Sequence, residues 1–203
     1  NSGENAIIDL LESRIGNAER TMANNIAADV YSDGSADAGK QIGGLKLLVD
    51  FTPATGTVGG INAATAGNEF WRNVAFDATT DGGAAASTSV MQSYMNRVYL
   101  QLVRGTDKPD LIISDGNYYQ LYSNALQAIQ RVSSDGSDKG VGAGFASLKF
   151  FGGGMSADVV NDGGIGAASP ANQMHFLNTN YIHFRPHKDR NFVPIGGERQ
   201  SVN

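Results

Sequence analysis

The 203 residues suffice for one domain, or one domain with a modest subdomain, able to bury roughly 70% of the unfolded surface. Charged residues make up 17%, Gly 26 is high for the length and the formal net charge is -5, so the surface is polar but uncharged and lacks the basic face that a nucleic-acid reader needs. With Cys 0 the chain excludes disulfides, thiolate zinc sites and cysteine nucleophiles and fits synthesis in a reducing cytoplasm, and without a run of about 18 apolar residues or a charged segment leading into an apolar one, neither a membrane span nor a signal peptide is read.

Ile7, Leu11, Ile15, Met22, Ile26 and Val30 recur at multiples of three and four residues, with Ala18 between them, which predicts an amphipathic helix. Ser2 can cap its start, and Ser32-Asp33-Gly34 marks its end, so it runs for about seven turns. The narrow stripe predicts a helix laid across a sheet, with Ile7, Leu11, Ile15, Met22 and Ile26 facing the sheet and the other side in water. A coiled coil is the minor reading, because the apolar repeat is not sustained over many heptads.

From Asp33 to Asp81 a loop-rich excursion follows, punctuated by Gly43-Gly44, by Gly56-Thr57-Val58-Gly59-Gly60 and by the aromatic pair Phe70-Trp71. After the break at Thr79-Thr80-Asp81-Gly82-Gly83, helical spacing resumes from about Ser87 through Val90, Met91, Tyr94, Val98 and Leu102, until Arg104-Gly105. Lys108-Pro109-Asp110 then precedes the strand Leu111-Ile112-Ile113, and Ser114 or Asp115 can cap a third helix carrying Tyr118, Leu121, Tyr122, Ala125 and Ile129. Beyond Val132 the period changes to two. Phe145, Leu148, Phe150, Met155, Val159 and Val160 lie in short runs separated by Gly152-Gly153-Gly154 and Asn161-Asp162-Gly163-Gly164. Met174 and Phe176, and then Tyr181-Ile182-His183-Phe184-Arg185, supply further strands around a turn at Asn178-Thr179-Asn180. Long helices first and strands later predict an α+β fold with an antiparallel sheet.

Few residues announce chemistry. The glycine-rich segment at Gly56 lacks the Lys and Ser or Thr of a phosphate loop, since Ile61-Asn62-Ala63 follows it, and reads as a turn needing positive φ. His183, His187 and Asp189 form the one metal-like group, but Pro186 opposes a helix there. In a strand the two imidazoles stand roughly 13 Å apart, too far to share an ion. No metal is expected. Arg185, Lys188 and Arg190 make a short basic patch, read either as a solvated turn or as a subunit contact. No Gly-x-Ser-x-Gly elbow marks a nucleophile, and the acidic residues sit beside Gly or Asn in turns, where they accept backbone hydrogen bonds. Trp71, the sole Trp, reads as an anchor for its own loop. The sharper alternative has Phe70 and Trp71 pinning the excursion under a neighbouring subunit, with Arg72 reaching a partner carboxylate.

In their order, these segments resemble the tailed-bacteriophage major capsid proteins of the Hong Kong 97 type. The long helix leading into Ile26-Ala27-Ala28-Asp29-Val30-Tyr31-Ser32-Asp33-Gly34 and Gln41-Ile42-Gly43-Gly44-Leu45 is similar to the family's spine helix and the glycine-rich stretch after it. Gly56-Thr57-Val58-Gly59-Gly60-Ile61 with Phe70-Trp71-Arg72-Asn73 looks like a pairing used by a branch of these coat proteins. Pro109-Asp110-Leu111-Ile112-Ile113-Ser114-Asp115, Phe145-Ala146-Ser147-Leu148-Lys149-Phe150 and His187-Lys188-Asp189-Arg190-Asn191-Phe192-Val193-Pro194 complete the likeness.

The resemblance implies a spine helix packed on an antiparallel sheet as a peripheral domain, and a mixed α/β axial domain. By it, residues 1–86 hold the spine helix and excursion, 87–140 the axial core and 141–203 the returning strands of the peripheral domain. Family members carry an N-terminal arm and an extended loop before the spine helix, and both are expected to be missing from this chain. The implied role is a structural coat subunit, not an enzyme and without cofactors. It assembles with itself into hexamers and pentamers in the host cytoplasm to form the virion head, meeting scaffold or portal proteins and, non-specifically, packaged DNA, but no membrane. Phe70, Trp71, Arg72, Arg185, Lys188 and Arg190 are the candidate subunit-interface residues. An encapsulin-like shell, a phage decoration or adhesion module, and a hydrolase stand as alternatives.

Overall fold

A computed structural model of the chain describes residues 4–127, 148–152, 155–163, 171–185 and 188. The fold is mixed α+β. It opens on α1 (Glu4–Asp29), continues through the single turns α2 (Ala36–Gly39) and α3 (Leu45–Leu48), and makes a small hairpin of β1 (Thr57–Val58) and β2 (Ile61–Asn62). A 3-10 turn at Glu69–Trp71 leads towards α4 (Met91–Leu102), β3 (Leu111–Ser114) and α5 (Gly116–Gln127), and the strands β4 (Leu148–Gly152), β5 (Met155–Asn161) and β6 (Met174–Leu177) complete the sheet. No described helix is long and apolar enough to cross a membrane.

The four-stranded sheet has the order β4-β5-β3-β6. It is mixed, which corrects the expectation of an antiparallel sheet. β3 runs parallel to β5, with Ile112 opposite Val159 and Ser114 opposite Asn161, while β4 with β5 and β3 with β6 are antiparallel. The connection from β3 to β5 passes through α5 and β4, long enough for the crossover that a parallel pair requires. The sheet therefore draws one central strand from the segment 87–140 and the others from 141–203.

One face of the sheet carries the main core. Ile112, Phe150, Ala157 and Val159 are buried beneath Met91, Met95 and Tyr99 of α4 and Tyr122 of α5. Each aromatic ring brings a hydroxyl that must find an acceptor when buried. Tyr99 donates to the Pro109 carbonyl at 3.1 Å and Tyr122 to the Lys149 carbonyl at 3.1 Å. The stripe that α4 buries is therefore Met91, Met95 and Tyr99, one residue round from the expected Tyr94, Val98 and Leu102, which lie only half-buried on the flank. Asp115 caps α5 as expected, accepting the Tyr118 N–H at 2.9 Å and also the Asn172 N–H at 2.7 Å. In the β1–β2 hairpin, Gly59 (φ 60°) and Gly60 (φ 82°) are the two loop residues, both in the left-handed region that a type I′ turn demands.

The opposite face is covered by a smaller cluster of Tyr31, Leu45 and Leu177, with Val49 and Ile113 against it. Here, among the described residues, α1 is tied down at its C-terminal end. The Leu45 N–H donates to the Val30 carbonyl at 2.7 Å, the Gly44 N–H to the Ser32 carbonyl at 3.0 Å, Gln41 Nε2 to Asp29 Oδ1 at 2.7 Å, and the Tyr31 hydroxyl to Asp162. As expected, α1 is continuous through Gly16. The expectation that its stripe faces the sheet is corrected at Ile15, 52% exposed, and Met22, 46% exposed, while Ile26 is half-buried and the side chains of Ile7 and Leu11 lie outside the described residues. The reason is geometric: α4 and α5 already occupy one face, and the end of α1 with α3 occupies the other.

A second correction concerns Tyr181 to Arg185. The chain makes a 3-10 turn at Thr179–Tyr181 and leaves the sheet as unpaired, exposed backbone. Asp110, at the start of β3, accepts the Thr179 N–H at 2.8 Å and the Thr179 hydroxyl, and the Asn178 side chain accepts the Asn180 N–H at 3.1 Å. These side-chain acceptors satisfy the backbone locally and divert it from a ladder.

Candidate functional site

A concavity of about 910 Å³ lies between the excursion, α4 and β6. Phe51, Phe70, Phe76, Tyr94 and His175 supply much of its aromatic wall, and Arg72 and Arg104 lie at it as cations. The excursion is held onto α4 by Tyr94, whose hydroxyl donates to the Gly82 and Ala84 carbonyls at 3.1 Å each, and by Phe76, whose ring centroid is 5.4 Å from that of Tyr94. The Arg97 guanidinium stands 5.2 Å from the Phe76 centroid, within cation–π range. Gly82 lies so close beneath Tyr94 that an added Cβ would come within 2.6 Å of the ring. Asp77 closes the same loop by accepting the Thr79 and Thr80 N–H groups at 2.8 and 2.6 Å, and these bonds hold its carboxyl below the ordinary range.

The Phe70-Trp71-Arg72 segment splits into two kinds of residue. Phe70 is 74% exposed and Trp71 45%, with ring centroids 6.3 Å apart in an edge arrangement. The Trp71 indole N–H donates to the Val58 carbonyl at 3.1 Å and so latches the 3-10 turn to the β1–β2 hairpin. Arg72 is half-buried and its Nε–H donates to the Ala63 carbonyl at 2.9 Å within the same chain. The segment is thus fastened internally through Trp71 and Arg72 while the aromatic faces stay open. Glu69 beside them accepts the Gly67 N–H at 2.9 Å, and backbone hydrogen bonds, its own N–H first, with the Arg72 charge hold its carboxyl low.

Of the basic patch, Arg185 and Lys188 are exposed and Arg190 lies outside the described residues. His187 and Asp189 lie outside them too, so of the metal-like group only His183 is described, and it is exposed. Among the described residues no group of three His, Asp or Glu side chains converges as a metal would need. The structure also brings in surface aromatics that spacing did not single out, namely Phe51 in the Thr-Pro loop and Phe151 on the outer face of β4, 65% exposed. The period-two pattern carried the second of these, since Phe150 and Phe151 must point to opposite faces.

His175 on β6 is buried, with the Phe51 ring centroid 5.9 Å away and tilted to it by 54°, and burial pushes its imidazole below the ordinary value of 6.5. The unfolded chain therefore takes up the proton first as pH falls. Stability from this group is complete above about pH 6.5 and is lost progressively below it. Melting curves between pH 8 and 5 are expected to show that loss, and His175→Phe to flatten it. An unchanged slope in the variant would assign the acid sensitivity elsewhere.

No known protein family, curated protein or solved structure matches the chain.

Proposed function

We propose that the chain is a shell subunit, a major capsid protein of the Hong Kong 97 type whose work is to pack against copies of itself around phage DNA. One observation carries the reading. Large apolar side chains stand open at several separate places, on α1 (Ile15, Met22), on the excursion (Phe51, Phe70, Trp71), on β4 (Phe151) and after β6 (Tyr181, Phe184). Single exposures are ordinary, but here they occur on a long helix and at three other places on the surface, and this spread is what supports the reading. A subunit that meets several neighbours requires adhesive surface distributed in this manner. The low charged content of the chain limits the repulsion that opposes close packing of many identical copies.

Electron microscopy of the protein expressed alone is the direct test. Closed shells, or rings of five and six subunits, are the expected result. A monomer at every concentration tried would sink the proposal.

Within this reading Trp71→Ala separates anchoring from assembly. Loss of one hydrogen bond and a half-buried ring is expected to cost about 1–2 kcal/mol, a fall in subunit Tm of about 2–8 °C. Phe70→Ala removes an exposed ring without an internal bond and is expected to leave Tm nearly unchanged while lowering shell yield. Equal yields from wild type and Phe70→Ala would remove this face from the interface.

A further inference from the structure

Among the described elements α1 is the longest, 26 residues, and among the described residues its ties to the body are at its last turn and the Tyr31 and Leu45 cluster, while Ile15, Ala18 and Met22 are exposed. Helices in water owe most of their stability to packing of an apolar face, so an unsupported stripe calls for a partner. Ile8, Leu11, Ile15, Ala18 and Met22 are separated by steps of three and four, the spacing that keeps a seam between two supercoiled helices. With Ile8, Ile15 and Met22 at the a positions and Leu11 and Ala18 at d, Glu12 and Glu19 fall at e and Arg14 at g.

Those charges select the occupant and its direction. A parallel second copy sets g of one chain beside e of the next heptad of the other, which brings Arg14 to Glu19 twice by symmetry. An antiparallel copy sets e beside e and confronts Glu12 with Glu19. Isoleucine at a with leucine at d favours two strands. Glu12, Arg14 and Glu19 are all exposed, and so is Ile15 at the centre of the seam.

We propose that α1 pairs in parallel with α1 of a second copy, Ile15 against Ile15, with the Arg14–Glu19 contacts setting the direction. The two-fold axis then runs along the helices, and both bodies sit at the same end of the pair. The pairing goes beyond the shell reading and does not require it.

The absence of cysteine makes the test clean. Under mild oxidation of the full chain, Ile15→Cys is expected to form a disulfide-linked dimer, whereas Asn17→Cys, away from the seam, is not. Arg14→Glu and Glu19→Arg chains are each expected to dissociate about tenfold more readily in sedimentation runs, and an equimolar mixture to recover a mixed pair. Equal cross-linking at the two cysteine positions, or no recovery on mixing, would overturn the proposal. Shells without Ile15→Cys dimers would leave the coat reading standing and remove this one. Cross-linked pairs without shells would do the reverse.

Discussion

Phe150→Ala is expected to lower the unfolding free energy by about 3–5 kcal/mol, the range for deleting a buried aromatic ring. Phe150 is buried in β4 between Tyr99, 5.3 Å away between centroids, and Tyr122, 6.2 Å away. Neither neighbour can collapse into the space left behind, because Tyr99 is tied to the Pro109 carbonyl and Tyr122 to the Lys149 carbonyl. The site is also tight on the strand side, where a Cβ added to Gly152 would come within 2.7 Å of the Phe150 ring. A cavity that persists loses dispersion contacts as well as transfer free energy. Denaturation by guanidinium chloride is the measurement, with Phe151→Ala as the comparison. The adjacent ring is largely exposed, so its loss should stay within about 0.5 kcal/mol. Similar effects from the two variants would mean that the sheet faces are assigned the wrong way round.

Gly44→Ala is expected to cost about 3 kcal/mol and to free α1 from the body. Its added methyl would overlap the carbonyl oxygens of Asp29 and Val30, which belong to backbone and cannot swing aside as a side chain would. Moving that backbone breaks the bonds from Gly44 to Ser32 and from Leu45 to Val30, and opens the cluster of Tyr31, Leu45 and Leu177. Limited proteolysis should then cut between α1 and the rest of the chain far faster than in the wild type. Gly16→Ala is the control, since nothing lies within 4 Å of a Cβ there. In mid-helix the exchange should stabilise α1 by up to about 1 kcal/mol. An equally destabilising Gly16→Ala would show that the effect at Gly44 is not a clash at the clamp.

The elements whose causes are local could be read from the residues alone. Apolar spacing from Ile7 to Val30 predicted the long helix α1, and Ser114 or Asp115 ahead of Tyr118 was the expected cap of α5, of which the fold uses Asp115. The two glycines between Val58 and Ile61 predicted a turn with positive φ, and the period-two run around Phe150 predicted the β4–β5 hairpin. In each case the bonds concerned link residues within about a dozen positions of one another, so composition and spacing suffice.

Tertiary contacts settled the rest. A stripe on α4 says that one side is apolar, but the burial of Tyr99 in place of Val98 depends on Phe150 and on the Pro109 carbonyl, which lie in other parts of the chain. The parallel pairing of β3 with β5 follows from which strand the hairpin lays beside Ile112, a choice between distant segments that no local pattern encodes. The turn expected at Asn178-Thr179-Asn180 is held by Asp110, 69 residues before Thr179 in sequence, and Tyr181 to Arg185, which alternation had assigned to another strand, leave the sheet after it. The stripe on α1 was legible as apolar, but that Ile15 and Met22 stand uncovered follows from the two sheet faces being filled by α4, α5, α3 and the last turn of α1. Periodicity records how a segment divides its own surface, whereas the partner for that surface is chosen by packing among all the segments together.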